Sequence, residues 1–128
     1  PYAIGLNNHM GSAFTANAAA LDPVMRVLKE RDLLFLDSRT IATSEALNVA
    51  LRFGLTAYTR DVFIDDEISP SFILAQFAKA ETRARTKGSA ILIGHPHTLT
   101  LSLLKPWLAS RRGKGIELVP LTALPPAK

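Results

Sequence analysis

The chain has 128 residues, 48% of them hydrophobic, and a net charge of +4 from 15 Lys+Arg against 11 Asp+Glu. That length suits one domain with its own core. The absence of cysteine excludes a disulfide framework, a zinc ribbon and a thiol nucleophile. No window approaches 18 uncharged apolar residues, so nothing reads as a membrane span. The opening stretch, PYAIGLNNHM, lacks the basic start and long apolar run of a signal peptide. Much of the basic excess falls late, at Arg83, Arg85, Lys87, Lys105, Arg111, Arg112 and Lys114. These positions lie near predicted helix C-termini, where cations complement the helix dipole. No aromatic residues interleave with them as a stacking platform would require, so they read as a solvated face and not a nucleic-acid surface.

In chain order, residues 2–6 read as a buried strand. Asp22 before Pro23 predicts a capped helix running to about Arg31. Residues 33–36 form a second strand that ends at Asp37. Thr43 or Ser44 can cap a helix carrying Leu47, Ala50 and Leu51, and Gly54 suits its stop. Residues 55–59 form a short strand, and residues 62–64 a short, irregular apolar patch. Ser69-Pro70 repeats the cap-plus-proline signal and opens the longest helix, with Ile73, Phe77, Ala80 and Ala84 on one stripe and Gly88 closing it. Residues 90–93 are the cleanest strand. Thr98 can cap a helix bearing Leu101, Leu104 and Leu108, in which Pro106 predicts a break, a kink or a later start. Trp107, in the same apolar helix, reads as core. Residues 116–119 form a last strand, and the proline-rich tail from Ala123 is expected to be loose.

Alternating strands and helices, with continuous apolar strands, predict an α/β fold: a mainly parallel sheet flanked by helices. Ligands bind such sheets at the carboxyl ends of the strands. The residues just after the predicted strands are Asn7-Asn8-His9, Asp37-Ser38-Arg39, Arg60-Asp61 and His95-Pro96-His97, and they include every histidine of the chain. Imidazole with carboxylate is the usual ligand set for zinc and related metals. His9 and His95 leave different strands and can converge; for each, ligand and hydrogen-bonded loop residue both stay open. His97 reads as a surface residue. Asp37 is a metal ligand, a partner holding a histidine, a catalytic carboxylate, or a residue that fixes its loop. Arg39 and Arg60 can each grip an anion with two prongs, while Arg60-Asp61 can equally be a structural pair. Asp65-Asp66-Glu67 precede a helix start and read as dipole-complementing charges. No nucleophile elbow, phosphate loop or dinucleotide fingerprint is present.

At these residues the sequence resembles the divergent polysaccharide deacetylase family, a bacterial branch of the carbohydrate esterase/deacetylase group. The resemblance is carried, in order, by Asn7-Asn8-His9-Met10-Gly11-Ser12, Phe35-Leu36-Asp37-Ser38-Arg39-Thr40, Arg60-Asp61-Val62-Phe63-Ile64-Asp65 and Ile93-Gly94-His95-Pro96-His97-Thr98. Ile116-Glu117-Leu118-Val119-Pro120-Leu121 matches the family's C-terminal strand. It covers about residues 2–124. It implies a distorted β/α barrel of polysaccharide-deacetylase type, with residues 1–124 as the C-terminal portion of one domain and 125–128 as a loose tail. Family members carry a further amino-terminal portion with an Asp-Asp strand end. The expectation is therefore a piece without the family's catalytic aspartates, whose open sheet edge favours a homodimer.

The resemblance also implies an activity: metal-dependent hydrolysis that removes N-acetyl groups from envelope glycans, in the periplasm or cell envelope. It implies a divalent metal, expected to be zinc, held by His9 and His95. His95 is alternatively the general acid, and Asp37 and Arg39 orient the catalytic groups. Asn7, Asn8, Arg60 and Asp61 fall on the substrate side, and the partner is a polysaccharide or N-acetylated glycan. Two other readings stay open: a carbohydrate- or envelope-binding module that keeps the fold without turnover, and a sheet-edge interaction protein.

Overall fold

Short apolar strands, all but one followed by a helix, set the architecture. The computed structural model describes residues 2–110 and 114–128, so Arg111 and Arg112 of the basic excess lie outside the described residues. The chain forms two compact units, Pro1–Thr59 with Pro125–Lys128, and Arg60–Leu124. Both are α/β, built on parallel strands.

The first unit holds β1 (Gly5–Asn7), β2 (Leu34–Asp37) and β3 (Ala57–Thr59) in the order β1-β2-β3. The register sets Asn7 opposite Leu36, and Asp37 opposite Thr59. Parallel neighbours need crossover connections. A short helix α1 (Ser12–Thr15) and α2 (Ala18–Glu30) make the first, and α3 (Ala46–Arg52) the second. The second helix starts at Ala18, ahead of the expected Asp22-Pro23 signal. Asn17 caps it by accepting the Ala20 N–H, and three alanines follow as strong helix formers. Pro23 then lies inside the helix, where it forgoes one backbone bond. Leu21, Met25 and Leu28 recur at helical spacing, are buried, and pack with Phe35, Val49 and Ala50. Ser44 supports the start of α3 by accepting the Ala46 N–H at 3.3 Å, although Glu45 occupies the cap position. The tail is tied to this unit: Ala127 N–H donates to Ala57 O at 2.8 Å.

In the second unit β4 (Val62–Phe63) runs parallel to β5 (Leu92–Ile93), with Val62 opposite Leu92. The apolar patch expected to be irregular is thus a strand, because β5 supplies its ladder. Between them runs α4 (Pro70–Lys87), capped by Ser69 Oγ on the Phe72 N–H and closed by Gly88 at φ +86°, a conformation that favours glycine. Its buried stripe is Ile73, Phe77 and Ala80. The last helix, α5 (Thr98–Ala109), runs through Pro106 without the expected break. Leu99, Leu103, Leu104 and Trp107 seat it on the second core from both sides of the proline, which offsets the missing backbone bond. Thr98 is its first helical residue, with His97 at the cap position. Phe77 and Trp107 stack at 4.6 Å, and the indole N–H donates to Glu81 at 2.7 Å, so Trp107 is core. Two late cations are structural: Arg83 pairs with Asp61, and Arg85 donates to Lys114 O.

Residues 116–119 do not form the expected strand. A β pattern becomes a strand only where a neighbour supplies a ladder, and among the described residues none pairs with them. Leu118 and Val119 are exposed. No helix among the described residues is long and apolar enough to cross a membrane.

Two stability measurements test this packing. Phe77, buried and stacked, lies at the centre of the second core, and Phe77→Ala is expected to lower the unfolding free energy by about 3–5 kcal/mol in denaturant titration. Gly94 follows β5, and a side chain there would overlap Ile64. Gly94→Ala is expected to cost about 1–3 kcal/mol by overpacking; an unchanged midpoint would contradict the close approach.

Candidate metal centre

The ladder between β4 and β5 continues past the strands, since Ile64 N–H donates to Ile93 O at 2.9 Å. Parallel pairing then delivers the next residues of both strands, Asp65 and Gly94-His95, to the same edge. The Asp65 side chain has no solvent exposure. A buried carboxylate is tolerated only when donors meet it. Its Oδ2 accepts the His95 backbone N–H at 2.7 Å and the Thr100 hydroxyl at 2.9 Å. Its Oδ1 lies 3.1 Å from His95 Nδ1. Gly94 makes the approach feasible, because a Cβ at that position would come within 3.3 Å of Asp65 Oδ2 and collide with Ile64.

The His95 side chain is about one-third exposed (33%). Its ring meets Phe63 edge-on at 5.4 Å and lies 5.5 Å from the His97 ring. Arg60 sits over Phe63, 5.3 Å from the ring centroid, a cation–π distance. Asp65, His95 and His97 each offer one ligand atom, and these atoms lie within 4.8 Å of one another. One carboxylate with two imidazoles is the donor chemistry of a divalent transition metal, and three protein ligands leave a position open for water or substrate. The residues fit such an ion. A separate cavity of about 430 Å³ lies between α4, Trp107 and residues 115–124, and none of these three residues lines it.

The other expected site residues divide between the units. In the first, the exits of β1 and β2 are cross-linked. Asn7 Nδ2 donates to Leu36 O at 2.8 Å and to Ser38 Oγ at 2.7 Å, and Asn8 Oδ1 accepts the Ser38 N–H at 2.8 Å. Asp37 is buried; it accepts the Arg39 N–H at 2.7 Å and the Ser44 hydroxyl at 2.9 Å, one on each oxygen. These bonds hold a loop in which Arg39 takes φ +46°, while Met10 takes φ +56° in the facing loop. Both are non-glycine residues in the left-handed region, a strain that surrounding contacts must sustain. His9 is exposed at the exit of β1.

In the second unit, Asp61 lies at the amino end of β4. One of its oxygens pairs with Arg83 and the other accepts the Ile91 N–H at 2.8 Å. The structural alternative held open for Asp61 describes these bonds. The structure thus groups His95 with Asp65 and His97, two residues that the sequence reading set aside. Asp65 is no helix-start charge: Ser69 caps α4, and Asp65 is a strand-exit residue. Its signal was available, because it directly follows the apolar run Val62-Phe63-Ile64.

The sequence model of the divergent polysaccharide deacetylase family matches residues 1–125. The chain is 44% identical over 105 residues to the uncharacterized protein YibQ of Escherichia coli K12, covering 82% of this chain and 33% of YibQ. An uncharacterized Haemophilus influenzae protein is 45% identical over 103 residues, covering 80% of this chain and 37% of that one. The chain therefore spans about a third of the length of these curated relatives. The crystal structure of an uncharacterized protein from Agrobacterium tumefaciens C58 matches at a TM-score of 0.89 with 32% identity, covering 94% of this chain and 49% of that one. With nearly every residue inside the family match, and with a carboxylate and imidazoles gathered at its strand exits, this chain belongs to the divergent polysaccharide deacetylase family.

Proposed function

We propose that the protein acts as a metal-dependent deacetylase on N-acetylated glycans of the bacterial envelope, working in the periplasm. The observation that carries this reading is the Asp65–His95–His97 group. The chemistry that a divalent ion such as zinc supplies when bound is polarisation of an acetamide carbonyl and acidification of a water molecule. Asp65, His95 and His97 would hold it; the family motif also offers His9 as a ligand candidate at the exit of β1 in the first unit.

The chain's own groups do the rest. Asp65 fixes the His95 ring through Nδ1 and so aims the other ring nitrogen. That nitrogen either ligates the ion or hands a proton to the leaving amine. Asp37 holds the Arg39 loop in its strained form, so that a cation is presented beside the strand exits. Asn7 and Asn8 are assigned to the substrate side at the strand exits of the first unit, and Arg60, over Phe63, in the second; Asp61 serves the fold through Arg83 and the Ile91 N–H. Phe63, between Arg60 and His95, gives the centre an apolar wall.

A second reading is a glycan-binding module without turnover. It is favoured by the internal use of the Asn7 amide and of the Asp37 and Asp61 carboxylates. Zinc calorimetry and an acetate-release assay on N-acetylglucosamine oligomers separate the two. The deacetylase reading expects zinc uptake, weakened more than about tenfold by Asp65→Asn and His95→Ala, with loss of acetate release in each. Binding of the oligomer with no metal uptake and no acetate would establish the module instead. Retained zinc with lost activity in His95→Ala would assign His95 as the proton donor.

A further inference from the structure

We infer that Thr100 is a positioning residue, which decides the oxygen that Asp65 offers to the centre and the nitrogen at which His95 carries its proton. The inference rests on the metal reading above, and it adds a residue from outside the strand exits. Thr100 is buried at 1% exposure in the first turn of α5, and Asp65 lies 35 positions away in sequence.

A carboxylate is symmetric, and rotation about its last torsion interconverts its oxygens readily. Asymmetry therefore has to come from the surroundings. Here Oδ2 takes two donors, the Thr100 hydroxyl at 2.9 Å and the His95 backbone N–H at 2.7 Å. With Oδ2 filled, Oδ1 is left to face His95 Nδ1 at 3.1 Å. An ionised carboxylate only accepts, so Nδ1 donates across that contact and the lone pair of the neutral ring resides on Nε2. Of the two donors on Oδ2, only the Thr100 hydroxyl belongs to a side chain. It is thus the one element of this arrangement that substitution can remove alone.

Thr100→Val keeps the shape and removes the donor; Thr100→Ser keeps the donor and removes the methyl group. Two readouts apply to the full chain. In metal-free protein, above the histidine titration range, the ring nitrogen signals of His95 should report a proton on Nδ1 in the parent and in Thr100→Ser. They should move toward a mixture of tautomers in Thr100→Val. In zinc titrations, Thr100→Val should bind about 10–100-fold more weakly, with Thr100→Ser close to the parent. Should Thr100→Val not fold, Thr100→Ala carries the same comparison. Unchanged ring signals in the valine variant overturn the inference. So does a serine variant that falls as far as valine, since the role would then be packing by the methyl group. If the parent takes up no zinc while the ring signals respond as expected, positioning by Thr100 stands and the metal reading fails.

Discussion

The second unit is organised around a charge that has no water. Asp65 is enclosed at the end of β4, and a carboxylate in that position destabilises the fold unless protein donors replace its hydration. Those donors come from the β5 exit and from α5. Meeting the charge therefore fixes His95 and Thr100, with His97, the other histidine of the candidate centre, between them in the chain. Gly94 is the steric counterpart, since the backbone can reach the carboxylate only where no side chain intervenes. The same requirement that completes the packing also aims the imidazole.

The first unit uses a related device at the end of β2. Asp37 is also buried, and it too accepts a backbone N–H with one oxygen while a hydroxyl donates to its carboxylate. The consequences differ. Asp65 binds a segment distant in sequence and holds an imidazole, whereas Asp37 bonds Arg39 and Ser44 just after it and stiffens one loop. Two aspartates at strand ends, alike in burial and in donor type, thus separate into a group beside candidate ligands and a group beneath a strained loop.

Much of this was legible in the sequence. Apolar runs located β2, β3 and β5, and Ser69-Pro70 with Gly88 located the ends of α4. The rule that sites form at strand exits put His95 and Asp37 among the candidates. What was not legible depended on partners distant in the chain. Val62-Phe63 is too short to announce a strand and becomes one only through β5, so Asp65 was not counted among the strand exits, whereas Arg60-Asp61 do follow β3. Residues 116–119 carry a strand pattern but have no ladder among the described residues. Pro106 signals a break that tertiary packing overrides, and Asn17 with its alanines outweighed the Asp22-Pro23 signal. Local chemistry set the candidates, and non-local contacts chose among them.

The bond from Ala127 to Ala57 has a consequence for how the first sheet ends. An outer strand offers its carbonyls and N–H groups to any extended chain that reaches it, which makes it a template for aggregation. On β3 one of these carbonyls is answered from within by the Ala127 N–H. The two residues before it, Pro125 and Pro126, have no N–H to donate and cannot prolong a ladder. The Ala127 N–H therefore occupies one pairing position on β3, and the prolines before it have no N–H with which to add another.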